Sequence, residues 1–111
     1  MPIKKLQEIS HHLFICNGGT CKQKGAEEGI VEIRSAIRQA GLEASVHTTK
    51  TFCNGRCNDG PIVISATDGL WFKEITKEKA GYLVQEYLMK GILPEDLVLY
   101  RYGVCIANAA E

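Results

Sequence analysis

The chain has 111 residues, enough for one domain with a real core and too few for two. Hydrophobic residues make up 45% and charged residues 23%, which excludes disordered, collagen-like and low-complexity classes. Thirteen Lys and Arg balance thirteen Asp and Glu, so no net field draws the chain to nucleic acid or to an anionic membrane.

The N-terminus, Met1-Pro2-Ile3-Lys4-Lys5, is basic, but Gln7, Glu8, Ser10, His11 and His12 stand where a secretory signal needs an apolar run. No stretch approaches the roughly 20 apolar residues of a membrane span. Five cysteines, an odd count without such a signal, argue against a secreted disulfide framework. The expectation is a cytoplasmic domain, residues 1–111 as a single unit, whose cysteines need a chemical explanation.

Leu13-Phe14-Ile15 is a short apolar run bounded by Asn17-Gly18-Gly19, the pattern of a strand buried on both faces. Ala26, Ile30, Ile33, Ile37 and Ala40 recur at helical spacing, and Gly41 suits the position just past the end of that helix. Leu42, Ala44, Val46 and Thr48 then alternate with Glu43, Ser45 and His47, predicting a half-buried second strand. Pro61-Ile62-Val63-Ile64 and Leu70-Trp71-Phe72 flank Thr67-Asp68-Gly69, a hairpin signal. Thr76 is placed to cap a second helix whose apolar face is Ala80, Leu83, Val84, Tyr87 and Leu88, stopped by Gly91 and Pro94. The segment from about residue 92 reads as a C-terminal tail, within which Leu97-Val98-Leu99-Tyr100 fits either a last strand or a packed end.

Strand, helix, strand is a right-handed crossover and so a parallel pair; the hairpin adds antiparallel strands. The fold class is therefore α/β: a single domain with a thioredoxin-like mixed sheet flanked by helices.

Four of the five cysteines fall in two loops. Cys16 and Cys21, with four residues between them, follow the first strand; Cys53 and Cys57, with three between them, follow the second. Both loops leave the same end of a parallel pair, where open α/β sheets build their sites. Asn17-Gly18-Gly19-Thr20 and Asn54-Gly55-Arg56 are turn-forming, and free backbone N–H groups in such loops can point at anionic sulfur. The first loop also feeds a helix N-terminus, which favours thiolates nearby. Four readings stand side by side: buried reduced cysteines, a four-cysteine structural zinc site, a dithiol oxidoreductase, which wants Cys-x-x-Cys, and an iron–sulfur cluster, which takes four thiolates at varied spacings.

Cys16-Asn17-Gly18-Gly19-Thr20-Cys21 followed by Gly25, with Cys53-Asn54-Gly55-Arg56-Cys57 followed by Asp59-Gly60-Pro61, resembles the thioredoxin-like [2Fe–2S] ferredoxins. The same ligand pattern belongs to the cluster-bearing small subunit of NADH dehydrogenase. The resemblance runs from about Leu13 to Leu88. It implies one [2Fe–2S] cluster with ligands Cys16, Cys21, Cys53 and Cys57, the first two on one iron and the last two on the other. It implies a small soluble electron carrier rather than an enzyme, passing single electrons at low potential to a redox enzyme. About fifteen residues precede Cys16, where the respiratory subunit carries an extra helical region, so a free-standing ferredoxin is expected. A zinc-stabilised interaction module and an iron–sulfur redox sensor are the alternative functions. No nucleic-acid or membrane partner is expected; some relatives pair as homodimers, and the tail is apolar enough to contribute.

Cys105 lies outside the motif and reads as a spare thiol. His11, His12 and His47 read as surface or strand histidines rather than ligands. Trp71, Phe72, Tyr82 and Tyr87 are assigned to the core or an interface. Arg56, the one charged residue inside a ligand loop, either faces solvent or places its cation near the cluster.

Overall fold

The run Leu13-Phe14-Ile15 lies inside strand β1 (His11–Cys16). Helix α1 (Ala26–Gln39), strand β2 (Val46–Thr51), strands β3 (Val63–Ser65) and β4 (Leu70–Phe72), helix α2 (Lys77–Leu83) and strand β5 (Val98–Arg101) follow in that order. The structure, a computed structural model, describes residues 5–19, 23–53 and 55–101, with the backbone alone at Cys57. Cys21 and Cys105 lie outside the described residues.

The five strands form one mixed sheet in the order β2-β1-β3-β4-β5. β1 pairs with β2 in parallel, and β3, β4 and β5 extend the sheet antiparallel. The crossover and the hairpin are thus both as predicted. In the hairpin, Val63 pairs with Phe72 and Ser65 with Leu70. Of the two readings for Leu97–Tyr100 within the tail from about residue 92, the structure has the last strand. Leu97 is buried in the core, and Val98–Arg101 pairs with β4 as the edge strand.

β2 begins later than the alternation predicted, at Val46 rather than Leu42, because the helix end uses the intervening residues. The Gly41 N–H donates to the Arg38 carbonyl (3.1 Å) and the Leu42 N–H to the Ile37 carbonyl (3.0 Å), the paired bonds of a Schellman cap. The N–H groups of Ser45 and Val46 then both donate to the Leu42 carbonyl, closing a turn before the strand starts.

α2 starts after Thr76 as expected, although the Thr76 hydroxyl makes no capping bond. The helix widens over Val84–Met89, where π-helical spacing takes the Lys90 N–H to the Gln85 carbonyl (3.1 Å).

The core joins Ile30, Ile33 and Ile37 of α1 and Ala80, Leu83, Val84 and Tyr87 of the second helical segment to Leu13, Ile15, Val46, Val63, Leu70 and Phe72. Each such fully buried aliphatic or aromatic side chain contributes about 1.5–3 kcal/mol of transfer free energy. Both helices therefore pack their main apolar stripes on one face of the sheet. By strand alternation the opposite face carries His12, Phe14, Ile64, Trp71 and Tyr100, all half-buried. Phe14 is accordingly not core on both sides; it stacks on His12 with ring centroids 4.3 Å apart. Of the assigned aromatics, Phe72 and Tyr87 are core, whereas Tyr82 is 43% exposed.

Candidate metal centre

Cys16 is the last residue of β1 and stands opposite Thr51, the last residue of β2, so both cysteine loops leave the same end of the sheet. The Asn17 N–H donates to the Thr51 carbonyl at 2.8 Å, carrying the ladder one residue beyond the strands. The chain then brings Gly18 against Cys53. A Cβ built on Gly18 would lie 2.9 Å from the Cys53 Cα, inside any real contact distance. Glycine at position 18 is what allows the two loops to touch backbone to backbone. Farther along, Lys24 Nζ donates to the Asn58 carbonyl at 3.3 Å, a second tie between the chain after the first loop and the second loop.

Of the four motif cysteines, the side chains of Cys16 and Cys53 are described. Cys16 is 1% exposed, its Sγ 3.6 Å from the Phe52 carbonyl. Cys53 is exposed, and the Gly55 N–H donates to its Sγ at 3.3 Å. That amide is a backbone donor aimed at sulfur, the feature expected of these loops. Neither thiol is in a disulfide. Among the described residues no three metal-ligating side chains meet, since the other two motif thiols lie outside them.

Two observations fit a group bound by thiolates here: a glycine holds the two loops in contact, and an amide serves a sulfur. Among the described residues, one buried polar atom is left unanswered. That atom is Asn17 Oδ1, which has no hydrogen-bond partner; Asn17 Nδ2 donates to Glu27 Oε1 at 3.4 Å. Lys50 Nζ lies 3.8 Å from the same carboxylate. The sequence reading missed this Asn17–Glu27–Lys50 chain, though Glu27 in the first turn of α1 was a signal for it.

Arg56, half-buried, is ion-paired. Its Nε and one terminal nitrogen both donate to Asp59 Oδ2, at 3.0 and 2.8 Å, so its charge is balanced within its own loop. The three histidines lie on strands as expected, His11 and His12 on β1 and His47 on β2. His11 belongs to the opposite end of β1, its Nε2 3.8 Å from Asp68 Oδ2.

No family model matches the chain. A Priestia megaterium protein assigned by name as a 2Fe-2S ferredoxin is 40% identical over 97 residues, covering 87% of this chain and 76% of that protein. The chain belongs to the 2Fe-2S ferredoxin family. A 2Fe-2S ferredoxin of Clostridium pasteurianum is 28% identical over 89 residues, with 73% of this ferredoxin and 87% of the relative covered. The structure of a thioredoxin-like [2Fe-2S] ferredoxin from Aquifex aeolicus superposes with a TM-score of 0.80 at 26% identity, covering 86% of this chain and 96% of that one. A second structure of the Aquifex protein gives a TM-score of 0.78 at 27% identity. The thioredoxin-like fold, the [2Fe–2S] cofactor and the electron-carrier class expected from the motif are therefore those of this ferredoxin. Among the described residues no helix is long and apolar enough to cross a membrane.

Proposed function

We propose that Cys16, Cys21, Cys53 and Cys57 hold the [2Fe–2S] cluster of this ferredoxin, the first pair on one iron and the second pair on the other. The chain serves a redox enzyme in the cytoplasm as a one-electron carrier and makes or breaks no bond of a substrate. The observation that carries this reading is the contact of Gly18 with Cys53, which brings the two cysteine loops to one place. When bound, a [2Fe–2S] cluster takes up and returns one electron at a time.

The chain's own residues set the terms of that exchange. Cys16, buried at the strand end, anchors one side to the rigid sheet. Cys53, exposed, defines the side on which a partner approaches. The Gly55 N–H disperses negative charge from the Cys53 sulfur. Arg56 is neutralised by Asp59 and gives the loop no net positive charge with which to favour an added electron. These features support a low potential.

The test is replacement of each cysteine by serine in protein purified under anaerobic conditions. Cys16→Ser, Cys21→Ser, Cys53→Ser and Cys57→Ser are each expected to lose iron, acid-labile sulfide and the visible absorption that dithionite bleaches. Cys105→Ser is expected to keep all three. A colourless wild-type protein carrying zinc, or iron lost by Cys105→Ser and kept by one of the four, overturns the assignment.

A further inference from the structure

The geometry points to a second metal site, on the sheet face opposite the main helical core: His12 and His47 form a two-imidazole chelate for a borderline divalent transition ion such as Zn2+. The two residues are direct partners in the parallel register of β1 and β2 and project from the same face. Their ring centroids are 4.8 Å apart at an interplanar angle of 63°. Two imidazoles bound side by side on one ion, with metal–nitrogen bonds of about 2.0–2.1 Å, place their ring centres about 4.5–5 Å apart. The pair thus already has the spacing that a shared ion requires.

The surroundings hold the His12 ring as a ligand is held. His12 Nε2 lies 2.9 Å from Thr49 Oγ1, and the ring stacks on Phe14 at 4.3 Å and 27°. In the tautomer whose Nε2–H donates to Thr49 Oγ1, Nδ1 carries the lone pair. A hydrogen bond from the second ring nitrogen to an oxygen is how ligating histidines are generally oriented. Across the strand, no hydrogen bond among the described residues occupies a ring nitrogen of the half-buried His47. The His12 pKa lies below the ordinary histidine value, through burial first and the neighbouring His47 second, so the neutral, metal-binding form prevails at neutral pH. Imidazole nitrogen selects zinc, copper or nickel over calcium or magnesium. Two protein donors leave the remaining positions to water, which makes the site exchangeable rather than structural.

His11 provides an internal control. It neighbours His12 in sequence but lies on the helix-covered face, edge-on to Tyr87 with ring centroids 5.4 Å apart. The site draws on none of the motif cysteines and stands whether or not the cluster assignment does.

The experiment is calorimetric titration of ZnCl2 into tag-free, cluster-loaded protein, with iron and sulfide assayed before and after. One zinc ion is expected to bind per chain with iron retained. His12→Ala and His47→Ala are each expected to weaken binding at least about tenfold. Thr49→Val is expected to weaken it several-fold, and His11→Ala to leave it within about twofold of wild type. His47→Gln, which keeps the size and polarity of the side chain, gives the same loss if folding of the alanine variant is compromised. Wild-type affinity in His12→Ala and in either His47 variant overturns the proposal. So does zinc uptake matched by iron release, which places the ion on the cysteines.

Discussion

Among the described residues, the buried polar groups at the His11 end of β1 are answered by side chains; at the Cys16 end backbone groups share that work, and Asn17 Oδ1 is not answered. The Ser65 hydroxyl, fully buried, bonds Tyr87 Oη at 2.7 Å. Since a carboxylate only accepts, Tyr87 donates its proton to Asp68, and the Ser65 hydroxyl donates to Tyr87. His11 Nε2 completes the group beside Asp68, and Ser10 Oγ lies 3.1 Å from His11 Nδ1. The Cys16 end has instead a loop contact at Gly18, an orphaned Asn17 oxygen, an exposed Cys53 and a Phe52 that is 91% exposed. One end of the sheet is closed by the chain itself. At the other, among the described residues, a backbone contact and an amide–sulfur bond take the place of side-chain partners.

Two glycines with the same steric problem break or confirm that contrast. A Cβ on Gly18 would lie 2.9 Å from Cys53 Cα, and one on Gly29 would lie 2.9 Å from the Ile75 carbonyl oxygen, where α1 meets the segment before α2. Gly18→Ala is expected to give the largest effect, loss of most of the iron per chain, because the loops can no longer meet. The melting temperature of its apoprotein should fall little. Gly29→Ala overpacks a contact inside the core and is expected to cost about 1–3 kcal/mol in apo and loaded protein alike. Iron assays and thermal unfolding of the four preparations decide it. A Gly18→Ala apoprotein as destabilised as Gly29→Ala would make the cysteine end part of the self-sufficient core.

Next in size is Tyr87→Phe. It strips a partner from the buried Ser65 hydroxyl, a loss of about 1–3 kcal/mol, and should leave the visible spectrum and iron content unchanged. The same residue gives a pH signature. Burial first, then the hydrogen bond to Asp68, raise the Tyr87 pKa well above the ordinary tyrosine value. Above about pH 10 the unfolded chain releases this proton while the folded chain keeps it, so stability falls as pH rises. Wild type is expected to lose more stability than Tyr87→Phe between pH 9 and pH 11. Equal losses would mean that the hydroxyl is not held by Ser65 and Asp68.

The contrast between the ends also explains what was legible in the sequence. The helical stripe of Ile30, Ile33 and Ile37 and the order of strands and helices could be read, because burial imposes a period on the chain. The convergence of the cysteine loops could be read from topology alone: Cys16 and Cys53 each follow a strand of the same parallel pair. The start of β2 could not, since Leu42 and Val46 alternate as a strand does while their backbones serve a helix cap and a turn. Sharing of one sheet face by both helices was equally hidden, as amphipathic helices do not state which side of a sheet they cover. The Arg56–Asp59 pair, the orphaned Asn17 oxygen and the His12–His47 pairing depend on three-dimensional register, which no local pattern encodes.

The smallest expected effect belongs to the His12 face of the sheet and tests whether the His12 environment is as the register places it. Burial, and secondarily the neighbouring His47, lower the His12 pKa from its ordinary value. A histidine that resists protonation in the folded state contributes stability above the unfolded value of about 6.5, and that contribution is lost as pH falls below it. The ring is only half-buried, so solvent screening limits the effect to about a few tenths of a kcal/mol. Thermal unfolding from pH 7.5 to pH 5, with a chelator present to keep metal off the imidazoles, should show a shallower acid decline in His12→Gln than in wild type. His47→Gln should recover part of the same difference, because it removes the secondary cause and leaves the burial. An identical slope in wild type and His12→Gln would mean that the two rings do not sense each other and that His12 is solvated like any exposed histidine. A wild type that gains stability on acidification relative to His12→Gln would mean that His12 is held as a cation by a group outside the described residues.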